Sequence, residues 1–488
     1  MDPLLRLSAG DLATRIRDRD VSPGEVLETH IRRLRQVNPA LNAVAEEHFE
    51  QAREEAAVQT KILMDKDPAE LPPFFGVPFT CKEMLAVRGM KSTAGAVHWR
   101  EHRADKDASV YHRLRQAGAN LLATTNVPEL GFWFECENPV YGRTNNPYDP
   151  RRTCGGSSGG EGALIGAGAS PMGLGSDIGG SIRMPAAFCG VFGHKPSNHL
   201  LPLTGHFPFS NEDFRNLRGE RYPLTTTGFL SRSARDLAPL LRILKGPDGI
   251  DLETRDVNLR QAPRDPSRWR VLVCEDPIFH LSGRAEAPVR ASVQKAARLF
   301  EQYGARMETF DERFFLRGVE LWIDAVKATK DRSFQDLLNP NGPLHVGREI
   351  ARSLFGRGQY SWPSLLTLLL EKWMVSSDER VGRSLRELAR MKREFHRILG
   401  DDGLLLCPVH PRTAPRHRAT LQGPFDFIGT GIFNALEVPA TSIPMGFDDH
   451  QLPLAVQAVA APFQDDLTIA AAEVLESAFG GWSPPSSL

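Results

Sequence analysis

Across 488 residues the chain balances 59 basic against 60 acidic side chains, a formal charge of -1, with 41% apolar and 24% charged residues. That is the make-up of a globular protein with a large core, neither disordered nor fibrous. A net charge this close to zero excludes recruitment to nucleic acid or to an anionic membrane by a whole-molecule field.

Asp2, Arg6 and Asp11 interrupt the opening segment, so it lacks the apolar stretch of an export signal. Ser22-Pro23-Gly24-Glu25 then reads as a helix start, with a capping Ser, Pro at the first helical position and Glu three residues on. Leu27, Ile31 and Leu34 give that helix one buried face as it runs towards Pro39. From Leu71 the texture changes. Strand-like runs at 74–80 and 120–123 alternate with a helical pattern at 108–117, which predicts an α/β fold with a largely buried sheet.

Residues 143–196 are rich in Gly and Ser, yet Leu164, Ile165, Met172, Leu174 and Ile178 recur among them, so the stretch reads as ordered backbone. Residues 251–400 are more charged and more helical, and strand texture returns at 404–408 and 454–460. The expectation is one domain, 1–488, with a helical N-terminal region (1–70), a core carrying the chemistry (71–250), a helical insertion (251–400) and a return to the core sheet (401–488). No uncharged apolar run reaches the ~20 residues that span a bilayer. The longest candidate, around 362–370, reads as a buried helix, an apolar lid or an interfacial helix.

Six cysteines (Cys81, Cys136, Cys154, Cys189, Cys274 and Cys407) form no CxxC pair, and a reducing cytoplasm fits them best. His410 and His417 lack the spacing of a helical zinc pair and no HExxH occurs, so no metal site is expected and both read as loop or surface positions.

Two glycine-rich segments carry the chemistry: Gly155-Gly156-Ser157-Ser158-Gly159-Gly160 and Gly175-Ser176-Asp177-Ile178-Gly179-Gly180-Ser181-Ile182-Arg183. Glycines permit close approach and unusual backbone, so the N–H groups of Ile178, Gly179, Gly180 and Ser181 can converge on a developing oxyanion. A phosphate loop would place a lysine after such glycines, and none is there. A GxSxG elbow is formally present around Ser157 and again around Ser158, and a plain Gly-Ser turn also stays open. A serine nucleophile needs a base, and neither segment holds a histidine. Lys82 follows an apolar run into the core, where desolvation would make it a proton acceptor; a lysine paired with a surface acid is the alternative.

Together these segments, with Val77-Pro78-Phe79-Thr80-Cys81-Lys82-Glu83 and Asn138-Pro139-Val140-Tyr141-Gly142-Arg143, resemble the amidase signature family. Phe192-Gly193-His194-Lys195-Pro196-Ser197 and Phe479-Gly480-Gly481-Trp482 extend the resemblance towards fatty acid amide hydrolases of the second type. The resemblance implies an α/β amidase signature fold, a mixed twisted central sheet surrounded by helices, with no metal or organic cofactor. It implies Ser181 as nucleophile, Ser157 as bridging serine and Lys82 as base, with Ser158, Asp177 and Arg183 in support. Gly131, Phe132 and Phe134 fall where the family binds the acyl group, Gly131 leaving room there. Ala455 stands where many relatives carry glycine. The reaction implied is hydrolysis of a small-molecule amide, fatty-acyl or aryl. Partners extend at most to weak membrane contact through 362–370 and to a homodimer. The alternatives are an amidotransferase-type subunit, which would need partner chains, and an inactive lipid-binding protein.

Overall fold

The computed structural model describes residues 1–209, 223–329, 333–373 and 377–486. The chemistry at Ser22 is realised in full. Ser22 Oγ accepts the Glu25 N–H, and the Glu25 carboxylate accepts the Ser22 N–H, so two orphan donors are satisfied reciprocally. The helix it opens, Pro23–Leu41, passes through Pro39 and closes on Asn42 in the left-handed region. Leu27, Ile31 and Leu34 pack with Phe49 and Ala56 of the next helix, Phe49–Asp65.

Eleven strands among the described residues form one sheet: β1 (Val44–Glu47), β2 (Pro78–Lys82), β3 (Asn120–Thr125), β6 (Met172–Asp177), β7 (Phe192–Lys195), β8 (Thr226–Ser231), β9 (Arg270–Val273), β10 (Arg306–Thr309), β11 (Gly403–Pro408), β12 (Ala440–Phe447) and β13 (Pro453–Val459). A separate ribbon pairs β4 (Glu137–Asn138) with β5 (Gly142–Arg143). The sheet order is β1-β3-β2-β6-β8-β7-β12-β13-β11-β9-β10. It is mixed: β2 runs parallel to β3 and β6, β6 antiparallel to β8, and β9 parallel to β10 and β11. Helices pack on both faces, and the strand alternation shows it. Along β11, Leu404 and Leu406 join one apolar cluster while Leu405 and Cys407 join another.

Two departures from the sequence reading matter for the site. The strand expected at 74–80 begins only at Pro78, because Phe74 to Val77 form a turn in which Gly76 takes φ +76 and Val77 N–H bonds Phe74 O at 3.0 Å. That shift makes Lys82 the last residue of β2. The stretch 251–400 contributes β9 and β10 as well as the helices Ala287–Gln302, Gly318–Ala328 and Asp378–Leu399. Within it, the helix Trp362–Trp373 buries Leu365 and Leu368 against Phe334 and Leu338 and exposes Leu369, so it is neither fully buried nor detached.

Candidate active site

Lys82 ends β2 with 1% of its surface exposed, which removes the surface-pair reading. Its Nζ lies 2.6 Å from Ser157 Oγ, 2.9 Å from Ser176 Oγ and 3.5 Å from the Ser176 carbonyl. Burial pushes the lysine down to about 7 against the opposing pull of Asp177, Cys136, Glu161 and Glu83. A group balanced there is neutral in much of the population at neutral pH and accepts a proton. Glu83, next in sequence, turns away: its carboxylate accepts Thr93 N–H, Ala94 N–H and the Tyr141 hydroxyl.

Ser157 sits where two backbones nearly touch. A Cβ on Gly156 would lie 2.7 Å from Trp133 O, so only glycine fits before it. Ser158 reaches the end of β6, its Oγ 3.3 Å from the Ser176 carbonyl, while its N–H donates to Ser181 O at 2.9 Å. The two serine segments are thereby tied together. Ser157 Oγ is bonded to Lys82 and Ser158 Oγ to the backbone of Ser176; no histidine hydrogen-bonds to either among the described residues, and this leaves the elbow reading without a base.

The turn after β6 is organised by a buried ion pair. Asp177 Oδ1 meets Arg183 Nη2 at 2.9 Å, with both side chains fully buried. Burial alone would raise the Asp177 carboxyl, but the Arg183 charge and hydrogen bonds outweigh it and hold it at about 2. Arg183 also donates to Thr430 O, Asn434 Oδ1 and Gln457 Oε1, which satisfies a cation that burial would otherwise penalise. Of the four amides expected to converge, Gly180 N–H is already committed to Asp177 Oδ1 at 2.7 Å. It shapes the loop rather than facing a ligand. The amides of Ile178, Gly179 and Ser181 have no protein acceptor among the described residues.

Two cavities meet here. One, of about 150 Å³, is lined by Ser181, Gly179 and the aromatic rings of Phe132, Phe134, Trp322 and Phe427. The other, of about 120 Å³, holds Lys82, Ser157, Ser176 and His206 beside Met84 and Leu337. Gly131, Phe132, Ile178 and Val326 line both. The residues expected at the acyl site, Gly131, Phe132 and Phe134, thus line the cavity that contains Ser181. Gly131 is there for a different reason from the room it leaves: it takes φ +68, and a Cβ would press on Met84 Sδ at 2.7 Å. Trp322 and Phe427 come from distant segments and were not legible in the motifs. His410, expected at the surface or in a loop, lies in the loop after β11 but is buried there against Phe134 and Phe188. Ala455 is buried with Phe134 and Met184, and nothing in the structure explains the alanine.

A lysine that burial brings down to about 7, hydrogen-bonded to a serine at the meeting point of two cavities, is chemistry that suits a hydrolase. The same class emerges from comparison with known proteins: the Amidase family model matches residues 25–469. The chain belongs to that family. It is 38% identical to human (Homo sapiens) fatty-acid amide hydrolase 2 over 99% of this chain and 91% of that protein. It is 29% identical to one of the subunits of the glutamyl-tRNA(Gln) amidotransferase from Thermus thermophilus, over 96% of this chain and 97% of that protein. Among solved structures, 6-aminohexanoate cyclic dimer hydrolase complexed with substrate superposes with a TM-score of 0.78 at 27% identity, covering 99% of each chain.

Proposed function

We propose that this chain hydrolyses amides of apolar acyl groups, fatty or aryl, through an acyl-enzyme on Ser181. The observation that carries the reading is the 2.6 Å contact between a desolvated Lys82 amine and Ser157 Oγ. Lys82 takes the Ser157 proton as Ser157 takes that of Ser181, whose oxygen attacks the amide carbonyl. The amides of Ile178, Gly179 and Ser181 receive the oxyanion. The proton then returns through Ser157 to the nitrogen, so that the C–N bond breaks to release a neutral amine instead of an amide anion. Water, activated by the same pair, cleaves the ester to the carboxylic acid and restores Ser181.

The aromatic cavity beside Ser181 and the 38% identity to fatty-acid amide hydrolase 2 support an apolar acyl group. The amidotransferase alternative has the more distant relative, at 29% identity, and no observation favours it. Retention of the Lys82–Ser157 contact argues against an inactive lipid-binding protein. Among the described residues no helix is long and apolar enough to cross a membrane. Contact with a bilayer surface is instead supported by the exposed Leu369 and Trp362 on the helix that supplies Thr367 and Leu370 to the Ser181 cavity. The six cysteines are free thiols, in keeping with a reducing compartment.

A panel of amides with acyl groups from short to long and aryl tests the reading. Turnover should rise with acyl length, its acid limb should fall near pH 7 as Lys82 deprotonates, and Ser181→Ala should lower kcat by ~1,000-fold or more. An active Ser181→Ala variant would remove the nucleophile assignment.

A further inference from the structure

His206 stands outside every motif in the sequence, yet the fold brings it to the lysine. An isolated antiparallel bridge pairs it with Leu85, and Phe207 N–H donates to Met84 O at 2.8 Å, so this segment is fastened to the backbone that follows β2. His206 Nε2 lies 2.7 Å from Ser176 Oγ, whose other side-chain neighbour is Lys82 Nζ at 2.9 Å. Lys82, Ser176 and His206 are 1%, 3% and 4% exposed. They form a buried chain that leads to Ser157.

A neutral amine has two N–H bonds and one lone pair, and only the lone pair can take the Ser157 proton. Three oxygens surround Lys82 Nζ: the hydroxyls of Ser157 and Ser176, and the Ser176 carbonyl. The carbonyl can only accept, whereas each hydroxyl can accept or donate. The direction of the Ser176 hydroxyl therefore decides where the lone pair points. If its proton goes to His206, its oxygen is left to accept a Lys82 N–H, and the lone pair faces Ser157. If its proton turns to Lys82, it occupies the lone pair in place of Ser157.

We propose that His206 is a positioning residue whose Nε2 accepts the Ser176 hydroxyl proton and so keeps the Lys82 lone pair aimed at Ser157. This rests on the reading of Lys82 as the base. The ring is neutral across the working range, since burial and then the Lys82 charge press it down to about 3. The backbone carbonyls of Phe207 and His206 favour a ring proton. With the ring proton on Nδ1, on the side these carbonyls favour, Nε2 is left free to accept from Ser176 at 2.7 Å. The charged and titratable groups that bear on this chain are Lys82 itself and the Asp177, Cys136, Glu161 and Glu83 that bear on the lysine.

Kinetics and tautomer measurement on the full chain test it. On an amide the enzyme hydrolyses, His206→Leu should lower kcat about tenfold or more with KM within about twofold. The acid limb should move to lower pH, because Ser176 Oγ becomes a poorer acceptor for the ammonium form of Lys82. His206→Gln, whose side-chain oxygen can take the Ser176 proton, should recover most of the rate. In a Ser176→Ala background, His206→Leu should change kcat by less than about twofold, since its effect runs through Ser176. Equal losses in both backgrounds, or no rescue by glutamine, overturn the proposal. Should the leucine variant fail to fold, 15N NMR of the histidine-labelled wild-type chain decides: an unprotonated Nε2 on His206 supports the proposal and a protonated one overturns it. Full activity in Lys82→Ala would instead remove the base assignment beneath it, a result separable from the other two.

Discussion

Lys82 and Glu161 illustrate how burial sets the protonation of single residues, and in opposite directions. Glu161 is fully buried, accepting the hydroxyls of Thr80 at 2.6 Å and Thr125 at 2.8 Å. Burial pushes its carboxyl up to about 8, even with those two bonds and the Lys82 charge drawing it back. At neutral pH the folded protein therefore holds this proton while the unfolded chain has released it. Both states hold it below the unfolded value, so the stability it confers is complete there and drains away as pH rises through about 8. Glu161→Gln keeps the shape without the ionisation. In urea titrations it should be more stable than the wild type at pH 8, by roughly 2–5 kcal/mol, and the gap should close towards pH 4. A gap that widens in acid would show that Glu161 is ionised in the fold. Lys82, Ser157 and Ser181 were singled out by the resemblance of the combined motifs to a family, because a glycine-serine run or a lysine after an apolar run leaves several readings open when taken singly. Ser176 lies inside a motif without standing out in it, its bond to Lys82 a matter of strand alternation. His206 has no local signal at all, since a long-range bridge to Leu85 places it.

At the scale of elements, the turn between β6 and the short helix Arg183–Phe188 is held from outside by the helix Ile428–Ala435. Thr430 Oγ1 donates to Gly179 O at 2.8 Å and Asn434 Nδ2 to Asp177 O at 2.8 Å. Gly180 takes φ +116, and a Cβ there would collide with Thr430 Oγ1 and stand 2.7 Å from Thr430 Cβ. Gly180→Ala should displace the neighbouring amides and lower kcat/KM by ~100-fold or more, with a stability loss of ~1–3 kcal/mol. Adding Thr430→Ala removes the clash with Oγ1 but leaves the 2.7 Å approach to the residue 430 Cβ and the backbone strain, so it should return only part of the rate. Full recovery would mean that the conformation itself is unimportant. Sequence periodicity identified the α/β alternation, yet it placed β2 four residues early, because Phe74 to Val77 are apolar like a strand and only Gly76 signals the turn. Strands β9 and β10 were hidden in a charged region, where Arg270, Arg306 and Glu308 pair across the sheet edge and break the apolar pattern.

For the whole molecule, the near-zero charge that excluded electrostatic recruitment also dictates what any membrane contact must look like. Phe355 is 81% exposed, Leu354 71% and Leu369 44%, and all three lie on or beside the helices Val346–Leu354 and Trp362–Trp373. The second of these helices turns Thr367 and Leu370 into the Ser181 cavity, so an apolar surface and the cavity lining share one element. A bilayer touching that surface would be adjacent to the route by which an apolar amide enters. With a formal charge of -1 there is no large field to screen, so association has to come from apolar burial. Sedimentation with zwitterionic phosphatidylcholine vesicles should therefore show weak binding that changes less than about twofold between low and high salt. Three side chains of this kind contribute on the order of a few kcal/mol when buried, enough for partial association only. The double variant Leu354→Glu, Phe355→Glu should lose it while hydrolysing a short, water-soluble amide. Binding that appears only with anionic lipid and disappears in salt would place the contact on a charged patch elsewhere on the surface.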